Sequence, residues 1–147
     1  MYSAPRLGGI LFVFIGPAKA KQLVEEHGVR SISELRERQD KLLNDKQKMG
    51  LKYYEEFDLR IPRAEMLKHE EYIKEIFKSF EKGYVVEVSG SFRRGEKDSG
   101  DIDLLITHPD ETLNHDQMFS NIITKFINDK YITDIFARGN KKCLAVC

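Results

Sequence analysis

The chain has 147 residues, with 24 Lys plus Arg balanced by 24 Asp plus Glu for a formal net charge of zero. That length suffices for one ordinary domain or two small ones with cores of their own. The charge balance excludes bulk attraction to nucleic acid, so any such binding must come from local placement of charge.

Residues 7–18, "LGGILFVFIGPA", carry no charge, but the strongly apolar part from Ile10 to Ile15 is far too short to cross a bilayer. Pro17 and Lys19 make a poor signal-peptide cleavage site, so a soluble intracellular chain with no membrane partner is expected. Pro17 after Gly16 predicts a helix start, and Ala18, Ala20, Leu23 and Val24 continue it to about His27-Gly28. "SISE" supplies Ser31 as N-cap with Glu34 three residues on, opening a short helix to about Arg38. Helices are expected over 40–48 and 51–57 with Gly50 between them. A longer one runs from Pro62 to about Phe80, with Met66, Ile73, Ile76, Phe77 and Phe80 on its apolar side. Lysines 41, 46, 48 and 52 read equally as a DNA-backbone patch or a solvated face.

Near residue 83 the pattern changes to short β-branched or apolar runs separated by turn chemistry. "YVVEVSG" predicts a strand ending in a glycine turn, and residues 101–107 the next. Asp116 to Asn128 predicts a helix with a wide apolar face, and "YITDIF" and "KCLAVC" predict two strands around the turn "ARGNK". The fold class is α+β: short helices first, then a small mixed sheet backed by helices. Cys143 and Cys147 have no paired histidines, so they read as free thiols in a reducing compartment.

Within "GSFRRGEKDSGDIDLLITHP", residues 90–109, strand periodicity sends Asp101 and Asp103 to one face and Ile102, Leu104 and Ile106 to the other. Two like charges so placed resist desolvation unless a cation compensates. Magnesium does so, since it takes carboxylate oxygens, retained waters and substrate phosphates. D-x-D alone also fits two aspartates on a solvated strand edge. Its surroundings favour the phosphate reading. Gly90-Ser91 follows a strand and offers backbone amides and a hydroxyl, and Arg93 and Arg94 stand beside it. Gly100 permits close backbone approach directly before Asp101.

On those residues the segment "GSFRRG…SGDID" resembles the active-site signature of family X DNA polymerases, within the nucleotidyltransferase superfamily. "GLKYYEEFDLRIPRAEM", residues 50–66, resembles the stretch that precedes it. The resemblance continues through "THP" and "KYITDIF…KKCLAVC", covering roughly residues 14–147. Gly90-Ser91, where terminal transferase usually has two glycines, points to the polymerase beta branch.

The resemblance implies a divergent segment over 1–13, a helical DNA-binding subdomain of helix-hairpin-helix type over 14–82, and a partial nucleotidyltransferase (palm) domain over 83–147. It implies template-directed DNA synthesis in base excision repair, by attack of a primer 3'-hydroxyl on a dNTP. Asp101 and Asp103 would be the catalytic metal ligands for Mg2+, two ions in the complete enzyme. Arg60, Ser91, Arg94 and Gly100 would hold the triphosphate. In "FIGPAKAKQL", residues 14–23, Gly16, Lys19 and Lys21 would meet the DNA backbone, in some members with a monovalent cation. Phe14 departs from the usual first hairpin glycine. The implied partners are gapped or nicked DNA, a dNTP and other DNA-repair proteins, and the implied location is the nucleus.

The family also uses a third aspartate on a later strand, a C-terminal subdomain that holds the nascent base pair, and a lyase domain with a Schiff-base lysine. None of these is recognised in the 147 residues, and Asp134 aligns with an earlier position. The expectation is therefore a piece of a polymerase with little or no turnover alone. The alternative is a non-catalytic module that binds DNA or a metal-nucleotide. Small bacterial nucleotidyltransferases share G-S…D-x-D but are not expected to carry "GLKYYEEF" and "RIPRAEM".

Overall fold

The computed structural model describes residues 9–80 and 82–147, with side chains from Ile15 onward. Most of the segment 1–13 thus lies outside the described residues, apart from the helical backbone that begins at Gly9. The chain divides into two compact units that meet in sequence at Arg60 and Ile61. No helix among the described residues is long and apolar enough to cross a membrane.

The first unit is helical: α1 (Gly9–Glu25), α2 (Ile32–Leu42), α3 (Asp45–Lys52) and α4 (Tyr54–Phe57). α1 is two helical segments joined at Gly16, whose φ of 71° and ψ of 161° belong to glycine. Pro17 then opens the second segment, where its fixed φ suits a helix start and its missing N–H costs nothing. Ser31 caps α2 by accepting from the Glu34 amide at 3.1 Å. The Glu34 carboxylate reaches past the cap to the Arg30 amide at 2.9 Å.

α2 runs to Leu42, beyond the expected end near Arg38, because Leu42 shares with Leu35 a buried face that only further helix can place. Asn44 and Gln47 then form a reciprocal capping box. This fixes the start of α3, so Gly50 falls inside the helix and is buried there; the break comes at Tyr53. Ile15, Leu23, Val29, Leu35, Leu42, Leu43 and Leu51 form this unit's core.

The second unit contains β1 (Ile61–Pro62), α5 (Arg63–Lys78), β2 (Val85–Val88), α6 (Gly90–Arg93), β3 (Asp98–Ser99), β4 (Leu104–Thr107), α7 (His115–Asn128), β5 (Asp134–Arg138) and β6 (Cys143–Val146). The compositional change near residue 83 falls inside it, between α5 and β2. Met66, Ile73 and Phe77 of α5 pack with Val88, Phe92, Met118, Ile122 and Phe126 in one core.

Among the described residues the strands form three antiparallel pairs, β1 with β3, β2 with β4 and β5 with β6, in place of the expected mixed sheet. α7 links β4 to β5 without making them ladder neighbours. β5 pairs instead with β6, which a tight turn closed by the Gly139 amide and the Lys142 carbonyl at 2.8 Å brings alongside it.

Beside this core the Tyr72 hydroxyl donates to Asp129 at 2.9 Å, and the rings of Tyr72 and Tyr131 lie 4.7 Å apart. Burial, then the bond to Asp129, pushes the Tyr72 phenol from 10.0 up to about 12. Burial raises Tyr131 as well. A phenol whose pKa is higher in the folded chain leaves stability intact below pH 10.0 and withdraws it as pH climbs toward about 12. Denaturant titrations across that window should show falling stability, and Tyr72→Phe should flatten the fall while leaving the Tyr131 share.

Candidate metal and nucleotide site

The register of β2 on β4 sets the site. Val86 opposes Ile106 and Val88 opposes Leu104, and these four side chains pack against the core. Val85, Glu87, Leu105 and Thr107 face outward, Val85 at 60% and Leu105 at 54% exposure.

Asp101 and Asp103 lie just ahead of β4, not within the expected strand 101–107, because the partner chain turns away into α6 after Ser89. One further bond, from the Ser89 amide to the Asp103 carbonyl at 2.8 Å, extends the pairing that far. The alternation persists: Ile102 packs on the core while Asp101 and Asp103 are exposed.

Gly90 turns the chain at a φ of 63°, and a Cβ built on it would lie 2.7 Å from Asp103 Oδ2. The carboxylate occupies the place where any other residue would carry its side chain. Ser91 Oγ donates to Ser99 Oγ at 2.8 Å, and Ser99 is buried at 1% exposure in β3. Ser91 therefore ties the turn to the strand that leads into Gly100 and Asp101, both exposed.

Arg94 holds Glu96 through Nε at 3.1 Å and Nη2 at 3.0 Å, and Arg93 meets Glu87 at 3.3 Å. Both are exposed surface pairs, worth roughly 0–1 kcal/mol, so an incoming anion can displace them at small cost. Arg60 is exposed at the end of the first unit.

Among the described residues neither Asp101 nor Asp103 has a hydrogen-bond or ion-pair partner for its carboxylate. Nor is any group of three or more His, Cys, Asp or Glu gathered to hold a metal. What the chain offers is an exposed pair of uncompensated carboxylates, one of them seated against a glycine turn. Such a pair fits magnesium, which binds through one or two carboxylates and completes its shell with water and phosphate oxygens. It does not fit a closed zinc site.

In the first unit the Gly16 kink presents Lys19, which reaches Gln22 at 3.1 Å, and Lys21, which meets Glu25 at 3.8 Å. Lys48 is paired with Asp40 at 2.8 Å and Lys52 lies over the Tyr53 ring, so the lysine stretch is not one unengaged stripe.

Gly90 as the seat of Asp103 and Ser99 as the partner of Ser91 escape a reading of the sequence. Gly90 is visible there as a turn glycine, but nothing marks which side chain fills its space, and Ser99 in "DSGD" looks like an ordinary turn serine.

Residues 60–147 match the family described as DNA polymerase beta palm, and residues 15–58 match the fingers domain of DNA polymerase lambda. The chain is similar to DNA polymerase lambda of Arabidopsis thaliana, 34% identical over 113 residues, which is 77% of this chain and 20% of that protein. It is likewise similar to DNA polymerase lambda of Rattus norvegicus, 34% identical over 116 residues, 79% of this chain and 20% of that protein. The chain thus spans about a fifth of the length of these curated relatives. The name of the expected polymerase beta branch appears in the palm match alone; the fingers match and both relatives carry the name lambda.

Replacing Gly90 by Ala should cost about 1–3 kcal/mol in backbone strain and also displace Asp103. Gly95 also has a positive φ, 83°, but nothing within 4 Å of its missing Cβ. Gly95→Ala should therefore carry only the strain. Magnesium-dependent nucleotide binding, measured alongside urea denaturation, should fall in Gly90→Ala and persist in Gly95→Ala.

Proposed function

Since the chain belongs to the DNA polymerase beta palm family, we propose that it forms part of a polymerase that adds a dNTP to a primer 3'-hydroxyl during DNA repair in the nucleus. The observation that carries this reading is the outward pair Asp101 and Asp103, uncompensated by any described residue and set against the Gly90 turn. Ser91, Arg94 and the backbone at Gly100 are its triphosphate contacts, and Arg60 is a further phosphate contact by family resemblance. Asp101 and Asp103 would hold magnesium, which when bound neutralises triphosphate charge and polarises the attacking hydroxyl.

Gly16, Lys19 and Lys21 form the contact to the backbone of gapped or nicked DNA, in which the hairpin main chain, sometimes with a monovalent cation, and two lysines set position without reading bases. Other DNA-repair proteins are expected partners. Between branches of the family, the names of the relatives favour a lambda-like assignment over polymerase beta.

A second reading is a non-catalytic module that binds DNA or a metal-nucleotide without transfer. It is favoured by the absence, among the described residues, of a third group gathered with the aspartate pair. In-line transfer needs charge stabilisation and alignment together, so the 147-residue chain is expected to bind without turning over.

Titration of the chain with magnesium and dATP should give saturable binding that Asp103→Ala weakens at least about tenfold, the scale of a lost charged contact. No magnesium-dependent binding would sink the assignment. Primer extension on gapped duplex separates the two readings: extension abolished by Asp103→Ala would establish turnover, and none would leave the binding module. Lys19→Ala with Lys21→Ala should reduce affinity for gapped duplex and lower the log–log salt slope by about 2, since each phosphate contact contributes about 0.9.

A further inference from the structure

Arg63, the first residue of α5, belongs to neither the aspartate pair nor the triphosphate contacts. Its Nη1 donates to the Phe92 carbonyl at 3.0 Å and the Glu96 carbonyl at 3.2 Å. Its own amide donates to the Lys97 carbonyl at 3.0 Å. Its guanidinium lies 4.6 Å from the centroid of the Phe92 ring, which is itself buried in the core. One residue therefore grips three carbonyls and a ring along 92–97, the stretch that joins the Gly90-Ser91 turn to β3.

That stretch needs outside support. α6 has four residues, too few to persist alone. Its own closing bonds are the Arg93 amide on Ser89 at 3.5 Å, the Arg94 amide on Gly90 at 3.3 Å, the Gly95 amide on Phe92 at 3.0 Å and the Glu96 amide on Ser91 at 3.2 Å. Arg63 takes the carbonyl at the end of the helix and the carbonyls that follow, so it restrains Ser91 and Arg94 from the side of α5. A planar guanidinium can stack on a ring while bonding two carbonyls, which a lysine ammonium cannot do in the same geometry.

The geometry points to Arg63 as a positioning residue for the nucleotide turn, one that holds residues 90–97 in the shape a triphosphate meets without touching the nucleotide. This rests on the nucleotide-binding reading above and extends it to a residue outside the contact set.

The test compares the unsubstituted chain with Arg63→Met, which keeps apolar packing on Phe92 and the amide on Lys97 but loses the two guanidinium bonds, and with Arg63→Lys, which keeps the charge. Amide hydrogen exchange is read over 90–97 and, as reference, over Ile122 and Phe126 in α7. Affinity for dATP is read with magnesium present. Arg63→Met should speed exchange over 90–97, leave the α7 amides protected and weaken nucleotide binding about tenfold, with Arg63→Lys intermediate. Binding retained in full by Arg63→Met, or unchanged exchange over 90–97, overturns the inference. So does a loss in which the α7 amides open equally in both variants, because that marks a general structural role. No binding by the unsubstituted chain overturns the nucleotide reading itself, a result distinct from the others.

Discussion

The close approach of the Asp103 carboxylate to the Gly90 turn is the constraint on which the second unit's surface depends. It exists because β2 and β4 pair in one register, carried a step further by the Ser89 amide on the Asp103 carbonyl. A slip of one residue would send Asp101 and Asp103 to the core face and Ile102 and Leu104 to the surface. Burial of Val88, Leu104 and Ile106 against α5 and α7 thus fixes where two charges sit, although neither charge contributes to that burial.

The anchoring of the turn differs in kind from its exposed chemistry. Inward, Phe92 is buried, Ser91 is bonded to Ser99 and Arg63 takes up carbonyls, so the backbone is held by packing and by bonds to groups at or near the core. Outward, Arg93 and Arg94 sit in exposed ion pairs that are weak and easily exchanged. The backbone of the turn is thus held more firmly than the charges it displays. The helical unit shows a related economy: its kink at Gly16 also needs glycine, but for dihedral reasons alone, since nothing lies within 4 Å of the missing Cβ.

The formal net charge of zero conceals this arrangement, because function in such a chain depends on which charges are left uncompensated. Most acidic groups with resolved shifts, such as Asp40, Glu55 and Asp129, are held low by a neighbouring lysine or arginine. The carboxylates of Asp101 and Asp103 have no hydrogen-bond or ion-pair partner among the described residues. Two exposed carboxylates so placed fit the ligand preference of magnesium, which takes one or two carboxylates and fills its remaining positions with water and phosphate oxygens.

Features that depend on neighbours within a few residues could be read from the sequence. These include the cap at Ser31, the break at Gly16-Pro17, the apolar face of α5 and the alternation that turns Asp101 and Asp103 outward. Each follows from backbone geometry with a short repeat. The end of α2 at Leu42, the burial of Gly50 inside α3 and the antiparallel pairing of β1 with β3 and of β2 with β4 could not, because the cores decide how far an element extends and which strand it meets. The same holds for Ser99 beneath Ser91, Asp103 in the space of Gly90, and Arg63 on the carbonyls 29 and 33 residues away. Contacts at that separation come from the closure of the chain around its buried side chains, and periodicity carries no record of which distant groups that closure brings together.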